Sequence, residues 1–178
     1  MKSTLRSLLV SASLAFSAVA AVTFSSCTED KCKGTVCAYG GTCVDGGCVC
    51  PTGYEGPQCE TVNRNYYTGI WKVNEDGTLS NAAQYDVAIE TSGDVPNLKV
   101  TNFHNNVQLN VAATVIGDTL TIKKQTVDNN TIEGFGVIDR DVYYGEHGLM
   151  TMYYYIIDQN GVIDRFGLGG GQPSKWNK

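Results

Sequence analysis

Histidine is nearly absent from this chain: there are two, His104 and His147. They stand far apart and in no partner motif, and lone histidines in turns are ordinarily solvated. There is no Gly-x-Ser-x-Gly turn, no His-Glu-x-x-His helix and no phosphate loop. Basic residues are few, 13 Lys and Arg against 18 Asp and Glu, so the positive footprint of a nucleic-acid binder is missing. Beyond the N-terminal end no apolar run is long enough to span a bilayer, and no window shows a helical period. These absences argue against an enzyme, a nucleic-acid partner and a helical membrane protein. No cofactor is expected.

Cysteine is absent from most of the chain and concentrated in one stretch. Six of the seven lie at Cys32, Cys37, Cys43, Cys48, Cys50 and Cys59. Few aliphatic residues lie among them, so a segment this small needs covalent staples. An even set of six in an exported chain reads as three disulfides, with fifteen pairings open to sequence physics alone. Zinc would ask for Cys-x-x-Cys knuckles, and the stretch has only one Cys-x-Cys. Gly40-Gly41 and Gly46-Gly47 suit tight turns between crosslinks.

The seventh cysteine follows a targeting segment. Lys2 and Arg6 precede an apolar run from Leu8 to Phe24, as in a signal peptide over residues 1–26. Phe24-Ser25-Ser26-Cys27 resembles the lipobox of bacterial lipoproteins. The resemblance implies an acylated Cys27, held in the membrane by several chains where one would be marginal. Residues 27–31 form an acidic tether. Thr28-Glu29-Asp30-Lys31 is similar to the surface-export signal of Bacteroidetes lipoproteins, though a plain solvated tether has the same charges. Loss of residues 1–26 removes Lys2 and Arg6 and no acid, leaving 11 basic against 18 acidic residues, a formal −7.

Residues 32–60 resemble an EGF-like module. The likeness is carried by Cys37-Ala-Tyr-Gly-Gly-Thr-Cys43 and by Cys48-Val-Cys50-Pro-Thr-Gly-Tyr-Glu-Gly-Pro-Gln-Cys59-Glu60. It implies bonds Cys32–Cys43, Cys37–Cys48 and Cys50–Cys59, with Tyr54 packed over the last disulfide hairpin. Some modules of that family bind calcium through a signature before the first cysteine. Thr28-Glu29-Asp30-Lys31 departs from it, so no metal is expected.

Residues 61–65 read as a short polar linker, and residues 66–178 as a separate β-domain. Val, Ile, Thr and Tyr are abundant there, in period-two runs separated by turn signals. Strands are expected over 66–73, 84–91, 97–103, 107–116, from Leu120, over 131–138, over 149–157 and over 162–168. Gly117-Asp118 and Asn160-Gly161 mark hairpin turns. The fold class is mainly β: the small disulfide-rich module, then an antiparallel barrel of roughly eight strands, with a β-sandwich as the alternative. Gly69-Ile70-Trp71, Tyr85, Ile89, Asn102-Phe103, Thr121-Ile122, Gln125, Gly134-Phe135-Gly136 and Tyr153-Tyr154 together resemble the lipocalin-like barrels of Bacteroidetes lipoproteins. That likeness implies a meander barrel that can hold a cavity.

Aromatics are the leading candidates for recognition: Tyr143, Tyr144, Tyr153 and Tyr155. Tyr153 and Tyr155 share one strand face and Tyr154 takes the other. The alternative is that they cover cross-strand neighbours. Carboxylates gather in Asp139-Arg140-Asp141 and from Asp158 to Asp164, in predicted turns where Asp serves the backbone. Asp118-Thr119-Leu120 resembles an O-glycosylation motif of exported Bacteroidetes proteins, which implies Thr119 as acceptor. The expected protein is a lipid-anchored, non-enzymatic binding or adhesion module, surface-exposed on the outer membrane, or on its periplasmic face. Its expected partner is a protein or a glycan. The rival expectation is a lipocalin-like carrier of a small apolar ligand.

Overall fold

A computed structural model describes residues 30–140 and 148–178. The N-terminal region holds two small hairpins. β1 (Thr42–Val44) pairs with β2 (Gly47–Val49), and β3 (Tyr54–Glu55) with β4 (Thr61–Val62). Disulfides link Cys32 to Cys43, Cys37 to Cys48 and Cys50 to Cys59. Cys59 is the only buried hydrophobic side chain here among the described residues, while Val36, Val44 and Val49 are exposed. Covalent bonds take the place of a core. Tyr54 stacks on Tyr39, with ring centroids 4.6 Å apart. Residues 61–65 do more than join: β4 pairs back on the module, and a 3-10 turn over Asn63–Tyr66 carries a buried Asn63.

The second region is a closed antiparallel barrel of eight strands. β5 (Gly69–Glu75), β6 (Ala83–Thr91), β7 (Asn97–Thr101), β8 (Val111–Ile116), β9 (Thr119–Val127), β10 (Asn130–Asp139) and β11 (Leu149–Ile157) follow one another as a meander. β12 (Ile163–Phe166) and β13 (Ser174–Asn177) share the last position. β12 pairs with Tyr155–Ile157 of β11, and β13 with Leu149–Met152. β13 also pairs with β5, which closes the cylinder and removes the sheet edges.

Three strand expectations need correction, and one strand was missed. The first strand begins at Gly69, after the 3-10 turn rather than at Tyr66. The fourth begins at Val111, because residues 102–110 form a loop that folds onto the barrel mouth. The third stops at Thr101, where Asn102 turns left-handed with φ +58°. The closing strand β13 was not expected: four residues are too few for a readable period.

Alternation fills the interior. Trp71, Phe103, Tyr154, Phe166 and Trp176 are all fully buried there. Gly134 and Gly136 point inward on β10, and a Cβ on either would collide with Tyr154 or Met152 across the sheet. These glycines therefore admit the large side chains of β11. β9 carries a bulge, with Lys123 and Lys124 opposite Glu133 alone. Beyond Thr114–Thr121 the β8–β9 ladder stops. The Gln125 amide then takes a strand's place, its Oε1 accepting from Ala112 N at 2.9 Å and its Nε2 donating to Ala112 O at 2.7 Å.

The module seals one end of the barrel. Arg140, at the end of β10, makes ion pairs with Glu55 of the module and Asp118 of the β8–β9 turn. Its guanidinium lies 4.7 Å from the centroid of the Tyr66 ring. Oriented to suit both neighbours, the Asn63 amide donates to Glu55 Oε2 at 3.2 Å and accepts from Gly117 N at 2.8 Å. Tyr67 OH donates to Gly117 O at 3.1 Å.

Candidate functional site

Two places concentrate chemistry. The first lies inside the barrel at its other end. Glu75 is the last residue of β5 and continues the inward series Trp71, Val73, Glu75. Its side chain is only 3% exposed. Oε1 accepts from Tyr85 OH at 2.7 Å and from His104 Nδ1 at 3.1 Å. Oε2 accepts from Tyr154 OH at 2.7 Å and Ser174 Oγ at 3.0 Å. Trp176 Nε1 donates to Ser174 Oγ at 2.9 Å. An ionised carboxylate only accepts, so Nδ1 of His104 carries a proton. β5, β6, β11, β13 and the 102–110 loop all converge on this one group.

Burial pushes the Glu75 carboxyl up, but hydrogen bonds from His104, Tyr85 and Tyr154 outweigh it and hold the group below the usual carboxylate range. Burial and the nearby Glu75 charge push the Tyr85 and Tyr154 phenols well above theirs. His104 stands at φ +52°, a left-handed position that costs energy unless the surroundings hold it. Phe166 stacks on Tyr154 at 4.4 Å and meets the His104 ring edge-on at 5.4 Å. The expectation of a solvated turn histidine is thus corrected: the loop delivers this ring to a buried acid. With four donors on it, the carboxylate has no lone pair directed at an outside group.

Asp164 is the second buried acid, and it lies in β12 rather than in a turn. Its oxygens accept from Leu79 N at 2.9 Å, Ser80 N at 3.0 Å and Thr78 Oγ1 at 3.1 Å. It therefore pins the β5–β6 loop. Asp158 serves its own turn, accepting from Asn160 N at 2.8 Å and Val162 N at 2.9 Å. Among the described residues no cluster of His, Cys, Asp or Glu is able to hold a metal ion.

The second place is the outer face of β10 and β11. Tyr153 and Tyr155 point outward and Tyr154 inward. The Tyr153 ring stacks on Phe135, directly opposite on β10, with centroids 5.0 Å apart and planes 17° from parallel. Tyr155 OH donates to Glu133 Oε2. A groove of about 600 Å³ adjoins the pair, lined by Asp118, Val137, Arg140, Leu149, Thr151 and Tyr153 among others. Thr119 begins β9, half-buried and opposite Val137. Cys27, Tyr143 and Tyr144 lie outside the described residues.

Sequence reasoning passed over Glu75, Tyr85, His104 and Ser174 as a set, and Phe135 as the partner of Tyr153. The phase of the alternation was the available signal for Glu75, since it stands two residues after Val73. Compared with known protein families, curated proteins and solved structures, the chain matches none.

Proposed function

We propose that this protein is a lipid-anchored bacterial lipoprotein whose barrel is a recognition head. The anchor is Cys27, the EGF-like module is the base of the head, and the lipocalin-like barrel binds a partner outside the outer membrane. One observation carries the reading: a stacked pair, Phe135 and Tyr153, stands on the solvent side of the sheet beside a groove. Phe135 is 37% exposed. Exposed aromatics of this kind bury large area on binding at low entropic cost.

The interior supports a surface site over a carrier. Trp71, Trp176, Phe103 and Tyr154 occupy the space that an apolar cargo would need. The saturated Glu75 supports a structural role for this buried acid and the histidine beside it. Protease shaving of intact cells tests the reading, with lysed cells as control. Digestion of the head on intact cells is the expected result. Protection until lysis would move the protein to the periplasmic face. Labelling with a fatty-acid analogue is expected to mark the parent chain and not a Cys27→Ala chain, and equal labelling of the two, or none of either, would sink the anchor.

A further inference from the structure

We infer that the groove beside Tyr153 binds a neutral oligosaccharide. This rests on the reading of the barrel as a recognition head and names the class of ligand.

Three features of the groove select that chemistry. The first is the aromatic wall. Phe135 and Tyr153 stack against each other on the outer sheet face, and Tyr153 also lines the groove. A pyranose presents a face of C–H bonds, which packs on such a ring through the ring's negative face. The second is the mixture along the groove. Apolar Val137 and Leu149 alternate with the Thr151 hydroxyl and the Asp118 carboxylate. A sugar likewise alternates apolar patches with hydroxyls that both donate and accept. A protein anchor would favour a broader apolar pocket with polar groups at its rim.

The third feature is charge. Arg140 is the guanidinium in the groove, and it already pairs with Glu55 and Asp118. Lys175 Nζ donates to Thr151 Oγ1 at 2.8 Å, which brings a single cation toward a site with carboxylates beside it. The chain carries a formal −5. Among the described residues the two cations here, Arg140 and Lys175, stand with three carboxylates, Glu55, Asp118 and Asp139, so a phosphorylated or sulfated ligand would meet net negative charge, a cost that an uncharged one avoids.

Titration calorimetry on the full chain in detergent decides the matter. The probes are cellohexaose, hexa-N-acetylchitohexaose and mannohexaose, with a heparin hexasaccharide as the anionic probe. Saturable binding of at least one neutral probe is expected, weakened roughly tenfold or more by Tyr153→Ala and by Phe135→Ala. Tyr39→Ala, an exposed aromatic on the N-terminal module, should leave binding unchanged. If Tyr153→Ala lowers the unfolding midpoint, Thr151→Val serves as the second variant, expected to weaken binding without touching the rings. No saturable binding of any neutral probe overturns the inference. So does binding of the heparin probe alone, capture of a protein through this face without sugar, or sugar binding that none of the groove variants changes. Shaving reads a separate quantity: a head exposed on cells that binds no sugar keeps the proposed location and loses this ligand. A sugar binder shielded until lysis does the reverse.

Discussion

The two ends of the barrel are both held by a charged group with several partners, yet the settings differ. At the end away from the module, Glu75 is sealed inside and meets donors that are neutral or histidine. At the module end, Arg140 meets two carboxylates, with its side chain 28% exposed. Water screens the second arrangement and not the first. Burial therefore makes Glu75 costly to lose, while exposure makes Arg140 a modest brace. The same contrast holds in what stabilises each neighbourhood. The barrel wall around Glu75 has a packed core, and the module next to Arg140 has three disulfides instead.

The sharpest way to break this comparison is Glu75→Ala. It leaves the Tyr85, Tyr154 and Ser174 hydroxyls and the His104 ring without their acceptor, and a loss of about 3–5 kcal/mol in urea unfolding is expected. A loss no larger than that of Arg140→Leu would show that the inner cluster is as wet as the outer one. The pH dependence has a definite sign. The folded Glu75 titrates below its ordinary range, so its contribution is present above that range and fades as pH falls through the folded value. Glu75→Gln should flatten the acid limb of the stability curve below about pH 4, near the ordinary glutamate value.

Next in size is the module's own staple. Cys50→Ser with Cys59→Ser opens a loop of sequence separation 9, and chain entropy sets the loss at about 2–3 kcal/mol. The loss should be local. Limited proteolysis is expected to cut between residues 32 and 60 while a fragment beginning near Tyr66 survives. Cleavage throughout the barrel would show that the module is part of the barrel's cooperative unit. Smaller still is Arg140→Leu, at about 1 kcal/mol. Added salt should shrink its difference from the parent chain, because exposed pairs are screened. The Glu75→Ala difference should hold under the same salt.

Much of the wall was legible in the sequence, and the inner site was not. β11 announces itself because Met150, Met152, Tyr154 and Ile156 alternate with half-buried residues over nine positions. The two-residue Gly117-Asp118 turn is equally plain between Ile116 and Thr119. Ser174–Asn177 gave no such signal, although Trp176 is fully buried, because a four-residue strand shows one period at most. Glu75 and Asp164 were hidden by their type. An acid before Asp76-Gly77, or near Asn160-Gly161, reads as turn chemistry, and only the inward phase of Val73 and Phe166 marks either as buried. His104 could not be foreseen, since a left-handed loop residue obeys no period. The outward phase of Tyr153 was readable, but its partner Phe135 depends on the β10–β11 register, a non-local fact.

The smallest effect lies in the barrel wall, at Gln125 of β9, and it sharpens the comparison. The β8–β9 register ends at Thr114–Thr121, just before the β9 bulge at Lys123 and Lys124, so on its β9 side Ala112 has no registered strand partner among the described residues. The Gln125 amide restores one peptide's worth of pairing, and it also donates to Lys123 O at 3.2 Å. These bonds lie at the surface, where water replaces whatever a substitution removes. Gln125→Ala should therefore cost only about 0.5 kcal/mol. Its local signature should be larger: hydrogen exchange at the Ala112 amide is expected to speed up, while exchange at the fully buried Val111 and Val115 changes little. Gln125→Glu keeps the acceptor for Ala112 N and loses both donated bonds, so it should fall between the two. Unchanged exchange at Ala112 in Gln125→Ala would mean that the seam is held by the flanking ladder alone, and that partner count matters as little there as it does at Arg140.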